Sequence, residues 1–195
     1  MKKIIKILLS LFLLFSCNSQ EENNEKIREN TQNFIDGYTT QYLKFYYESN
    51  EAEWKSNTMI IQGDSTNAIA TRKANEALAR FTGSEENIEK ARKFLEKKDK
   101  LLPLQIKQLE VILYKAANKP QTVGDLVMQR IKAETEQNEK LFGFDFQIAG
   151  KSVSTNDIDE ILQSENDLEK RLKAWQASKE VGKTLRQGLT NLREI

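Results

Sequence analysis

The sequence predicts an all-α fold, a multi-helix assembly of about six or seven helices with at most one small β-hairpin. Three observations point there. Charged residues make up 30% and hydrophobic ones 38% of the chain, with only two prolines, a balance suited to helices. Apolar residues recur at steps of three and four along nearly the whole chain. One stretch alone, Phe144 to Val153, alternates apolar and polar residues as a strand does.

At 195 residues the chain is long enough to bury a core. Thirty basic against 29 acidic groups, without a clustered basic face, argue against nucleic acid as a partner. A single cysteine excludes an internal disulfide framework. The absence of histidine excludes a His-dependent triad, a His general base and an HExxH zinc site on these residues. There is no Gly-rich phosphate loop, nucleophile elbow or CxxC. No residue is singled out as catalytic or as a metal ligand.

Residues 1–16 read as an export signal. Lys2, Lys3 and Lys6 form a basic start and Ile7 to Phe15 a short apolar run. That run is too short for a bilayer, which takes about 20 residues. The lone cysteine follows in Leu14-Phe15-Ser16-Cys17, which resembles the lipobox of bacterial lipoproteins. The resemblance implies lipid attachment at Cys17, a membrane as partner, and a protein body held in the cell envelope, on the periplasmic or outer-membrane side. Residues 17–24 are then a polar tether, and 25–195 a helical domain.

The first helix is expected from Glu25 to Ser49, where Ile27, Phe34, Ile35, Tyr38, Tyr42, Phe45 and Tyr46 form an aromatic stripe. Such a stripe is read as core. Near Ser49-Asn50 the helix should restart or bend before continuing to Thr58. Gly63 to Thr66 is a loop ending in N-cap residues. A second helix, Asn67 to Phe81, should turn Ile69, Ala74, Ala77, Leu78 and Phe81 inward. Thr82-Gly83-Ser84 stops it and caps a third, Glu85 to Lys100, with Ile88, Ala91, Phe94 and Leu95 on one face. Pro103 suits the first turn of a fourth helix bearing Leu102, Ile106, Leu109, Leu113 and Ala116, which Pro120 closes. The fifth, Val123 to Leu141, should bury Leu126, Val127 and Ile131 and give its polar second half to solvent.

In the alternating stretch, Gly150-Lys151 can turn a hairpin. Thr155 or Asn156 caps a short helix to Leu162. The nearby acidic residues Asp157, Asp159 and Glu160 lack the glycine and distal glutamate of an EF-hand loop, and are read as first-turn charge rather than a metal site. A last amphipathic rod is expected from Ser164 to Ile195, started by Ser164 or Asp167, with Leu168, Leu172, Trp175, Leu185, Leu189 and Leu192 on its apolar face. It carries no C-terminal stop signal, and the domain is expected to be incomplete there.

Phe34 to Thr58 resembles the first helix of the angiotensin-converting-enzyme family of zinc peptidyl-dipeptidases, through Phe34, Asp36, Tyr47, Ala52 and the W-x-x-N-T of Trp54, Asn57 and Thr58. Asp159 to Arg186 is similar to a later helix of that family, through Ala174-Trp175 and the V-G-K-x-L-R that includes Gly182 and Arg186. Leu109 to Leu113 fits between them. The resemblance implies a mostly helical, two-lobed peptidase whose N-terminal helices form a lid over a deep cleft. It also implies zinc in the full-length member, bound outside these residues. No substrate or chloride residue carries over: Thr155 and its neighbours stand where animal members have a subsite Glu, and Ser178 and Lys179 lie near the chloride-binding Arg. The expected function is the cleft-forming part of an exported dipeptide-releasing enzyme, inactive alone and with a peptide substrate only beside the catalytic part. The alternative is a complete, non-enzymatic helical lipoprotein that serves as a binding or scaffold module.

Overall fold

A computed structural model describes the backbone of residues 2–60 and 64–195 and the side chains of 21–60 and 64–195. Lys2, Lys3, Lys6, the apolar run after them and Cys17 fall outside the described side chains. The architecture is all-α with one small antiparallel hairpin. No helix among the described residues is long and apolar enough to cross a membrane. The chain divides into two compact units, Met1–Phe45 with Ala79–Thr122, and Tyr46–Leu78 with Val123–Ile195. Helices α1 (Lys2–Thr58) and α2 (Thr66–Thr82) contribute to both.

In the first unit, α1 lies with α3 (Glu85–Leu95) and α4 (Pro103–Ala117) around one core. Ile35, Tyr38, Ala91, Leu101, Leu109 and Ile112 are its buried members. Burying a side chain such as Ile35 or Leu109 is worth about 1.5–3 kcal/mol. Phe34 packs its ring 5.5 Å from Phe94, and Tyr38 its ring 4.9 Å from Phe81. Most of the expected aromatic stripe is therefore core, but Tyr46 faces solvent. Polar bonds fix α1 to α4 and to the turn before it: Gln105 Nε2 donates to Arg28 O (2.9 Å), and Arg28 Nε donates to Lys100 O (2.8 Å). The third helix ends at Leu95, five residues before the expected Lys100, and a 3-10 turn spans Lys98–Lys100. Lys97 to Lys100 offers nothing apolar to pack, and the residue before Pro103 is barred from helix. Leu102 is exposed, while Gln105 is buried and accepts the N–H of Leu102 through Oε1 (3.1 Å). Gly83 allows the α2–α3 turn to lie on the end of α4: a Cβ there would stand 1.7 Å from Lys119 O.

In the second unit, α1 passes Ser49-Asn50 without a break. The two polar side chains that suggested one are satisfied, Ser49 Oγ by donating to Asn75 Oδ1 and Asn50 Nδ2 by donating to Tyr46 O (2.6 Å). Of the α2 residues expected inward, Ile69 is exposed, and Ala68 and Thr71 are buried in its place. Helix α5 (Gly124–Phe142) buries Val127 and Ile131, but Leu126 is exposed. Its polar half is not wholly solvated either, because Gln137 is 7% exposed.

Strands β1 (Phe146–Ile148) and β2 (Lys151–Val153) pair Phe146 with Val153 and Ile148 with Lys151. The turn is Ala149-Gly150, one residue earlier than expected, with φ of 53° and 77°. Positive φ at both central residues is what a two-residue hairpin of the right twist requires. Ser154, not Thr155 or Asn156, caps α6 (Thr155–Ser164), receiving Asp157 N (3.1 Å) while Asp157 Oδ2 accepts Ser154 N (2.8 Å). Asp167 caps the next helix.

The expected single rod is two helices, α7 (Leu168–Lys179) and α8 (Val181–Glu194), separated at Glu180, whose N–H bonds Ala177 O three residues back. Its apolar face is only partly the expected one. Leu168, Leu172, Trp175 and Leu189 are more than half exposed. Leu185 is buried and Leu192 half-buried as expected, but Ala174 and Ala177 are buried in place of the large residues of α7, with Val181 and Gly188 half-buried on the same line. Small residues let the backbones approach: Ala174 lies in the core with Phe146 and Ile158, and Gly188 faces the Gln137 side chain of α5.

Candidate functional site

The motif residues fall into three kinds of place. Phe34 is half-buried in the first core, while Asp36 is exposed one turn above Gln32, whose Nε2 donates to it (2.9 Å). Trp54 is 68% exposed near the end of α1, and its carbonyl accepts Thr58 Oγ1 (2.7 Å), with Asn57 half-buried beside it. Trp175 is half-exposed under Lys179 Nζ, 5.7 Å from its ring. Gly182 and Arg186 line a shallow depression with Leu189, Thr190 and Arg193 on α8. Among the described residues no hydrogen bond, ion pair or ring contact joins Trp54, Asn57 or Thr58 to Trp175, Gly182 or Arg186.

An apolar groove lies in the first unit. Facing stretches of α1 and α4 leave a groove of about 410 Å³ with Leu43, Leu104, Val111 and Ile112 among its walls. Lys107 and Lys115 stand along it. Lys115 Nζ donates to Tyr42 Oη (2.9 Å) and sits 4.6 Å from the centre of the same ring. Two polar atoms in the walls, Tyr38 Oη and Gln108 Oε1, are shut off from water without a hydrogen-bond partner. Burial, with Tyr42 adding to it, pushes the Tyr38 hydroxyl up from 10.0 to about 12. None of Lys107, Gln108 or Lys115 was singled out from the sequence. The steps from 104 to 108, 111 and 115 mark one face of α4, but nothing in them says that α1 leaves that face uncovered.

The residues do not fit a zinc centre. There is no histidine, and among the described residues no three Cys, Asp or Glu side chains gather as ligands. Asp157 is committed to its cap, and its hydrogen bonds from Ser154 hold the carboxyl below its usual range. Asp159 and Glu160 are exposed on the same helix.

A family model described as angiotensin-converting enzyme matches residues 25–195. The chain belongs to that family. The match takes in both stretches that carried the resemblance and everything between them, so angiotensin-converting enzyme membership rests on the whole helical region rather than on two motifs. No curated protein and no solved structure was found to match the chain. The family is one of zinc peptidases.

Proposed function

We propose that this chain forms the cleft-shaping, lid-bearing part of an exported zinc-dependent peptidyl-dipeptidase, which releases dipeptides from peptide C-termini, and that it does not hydrolyse peptides by itself. The observation that carries the reading is the family match across residues 25–195. The missing histidines support the second half, because an HExxH helix supplies two of the zinc ligands and the general base. The role left to these helices is to enclose substrate and exclude water around a metal held elsewhere. The leader and Cys17 add the proposal that the protein is exported and lipid-anchored in the cell envelope.

The test is a metal and activity assay on the purified 195-residue chain, with zinc by atomic emission and dipeptide release from an N-blocked tripeptide. Neither is expected. Stoichiometric zinc with dipeptide release would overturn the inactive-alone reading. Sequencing the coding DNA past the Ile195 codon separates the two larger possibilities. An in-frame HExxH supports the peptidase reading, whereas a stop followed by unrelated sequence favours a binding or scaffold lipoprotein. For the anchor, Cys17→Ser should move the protein from the membrane fraction to the soluble one, and an unchanged distribution counts against lipidation.

A further inference from the structure

The groove between α1 and α4 is open along its length and asymmetric in charge. On α4 its border runs Leu104, Lys107, Val111, Lys115, alternately apolar and cationic at about one helical turn, or 5.4 Å, per step. Leu104 is 68% and Val111 50% exposed, and Leu43 on the facing helix 56%. Some lysines of this chain pair with carboxylates, as in Lys55–Glu51, Lys90–Glu86 and Lys183–Glu180. Among the described residues neither Lys107 nor Lys115 forms such a pair, and the α4 carboxylate, Glu110, is not in the groove lining. Lys115 is moreover held in place by Tyr42 without being neutralised.

We infer that this groove binds an extended acidic peptide in which carboxylates alternate with large apolar side chains. The charge pattern selects the acid, and the exposed Leu43, Leu104 and Val111 select the apolar partners. An extended chain presents same-face side chains about every 6.6 Å, close to the spacing of the α4 row. Acids four residues apart, roughly 13 Å, span Lys107 and Lys115, which are about 12 Å apart along the helix axis. The inference stands apart from the peptidase reading, since the groove binds such a segment whether or not a zinc site completes the molecule.

The probe is a fluorescein-labelled Leu-Ser-Asp-Ser-Leu-Ser-Asp peptide, followed by anisotropy against the full chain, with Leu-Ser-Lys-Ser-Leu-Ser-Lys as its counterpart. The acidic peptide should bind at least tenfold more tightly, with affinity falling as salt is added. Lys107→Glu and Val111→Asp should each weaken it about tenfold, and Lys107→Glu should reverse part of the preference for acid. Both positions are exposed, so the variants should melt as the parent does, and a circular dichroism melt confirms that. Equal binding of the two peptides, or acidic-peptide binding untouched by both substitutions, overturns the inference. So does tighter binding of a helical acidic peptide, or a concentration-dependent mass abolished by Val111→Asp, which would give the groove to a second copy of this chain.

Discussion

Tyr38 is 6% exposed, yet its hydroxyl has no hydrogen-bond partner. The fold therefore holds the phenol in its neutral form, with its pKa raised from 10.0 to about 12. That contribution is intact below pH 10 and is lost as pH rises through 10 to 12, because the unfolded chain ionises first. Tm should accordingly fall more steeply over this range in the parent than in Tyr38→Phe, read by thermal melts at each pH; parallel losses would exclude Tyr38 as the cause. At neutral pH, Tyr38→Phe should be neutral or more stable by up to about 1 kcal/mol, since it removes an unpaired buried group. Ala149 is strained differently, carrying φ of 53° without being glycine. Ala149→Gly should gain about 1 kcal/mol and Ala149→Val lose at least as much in urea unfolding, the β-branched side chain being the poorer fit. The hairpin was legible from its alternation, but its turn was placed one residue late. Gly150 announces a turn, whereas nothing about an alanine announces positive φ.

Two glycines at helix contacts should respond differently to the same substitution. A Cβ at Gly83 would meet Lys119 backbone at 1.7 and 2.7 Å, and that backbone is tied to the turn by Gln121 N donating to Gly83 O (3.0 Å). The atoms nearest a Cβ at Gly188 all belong to the Gln137 side chain, with Nε2 at 1.8 Å. Backbone cannot step aside without breaking its bonds, but a side chain can change rotamer. Gly83→Ala should therefore cost about 2–4 kcal/mol, and Gly188→Ala about 1 kcal/mol or less, with much of the latter recovered in the Gly188→Ala, Gln137→Ala pair. Chemical denaturation of the three variants checks this, and equal costs at the two glycines would contradict it. The same contact explains what the sequence concealed in α7 and α8. Counting large apolar residues put Leu168, Leu172 and Trp175 inward, but the close crossing selects Ala174, Ala177 and Gly188, small residues that carry little hydrophobic signal. The break at Glu180 has no proline and a helical φ of −61°, so no residue type advertised it. Helix caps were more legible: the Asp167 cap was foreseen as one of two candidates, and the Ser154 cap was missed by one position.

Over the whole chain, the helical class and the family were readable early because both are spread across many residues. The division into two units was not, since its boundaries fall inside the continuous helices α1 and α2, between Phe45 and Tyr46 and between Leu78 and Ala79. There the apolar periodicity runs on unchanged, and only the partners change. The groove on α4 was hidden for the related reason that an exposed face and a buried one can share the same spacing. Family membership and the absence of histidine together set a sharp expectation for metal. A ligand that binds only the folded state at one hundred times its Kd adds about 2.7 kcal/mol of stability, which for a chain of this size is a Tm rise of roughly 5–10 °C. Saturating zinc should produce no such rise here. The carboxylates that cluster most closely in sequence, Asp157, Asp159 and Glu160, follow one another on a helix, and the first is already hydrogen-bonded within its cap. Melts of the full chain in zinc chloride and in chelator should therefore superimpose. A rise of several degrees that Asp157→Asn removes would instead place a cation at the start of α6, and the assignment of that acidic turn to capping would be wrong.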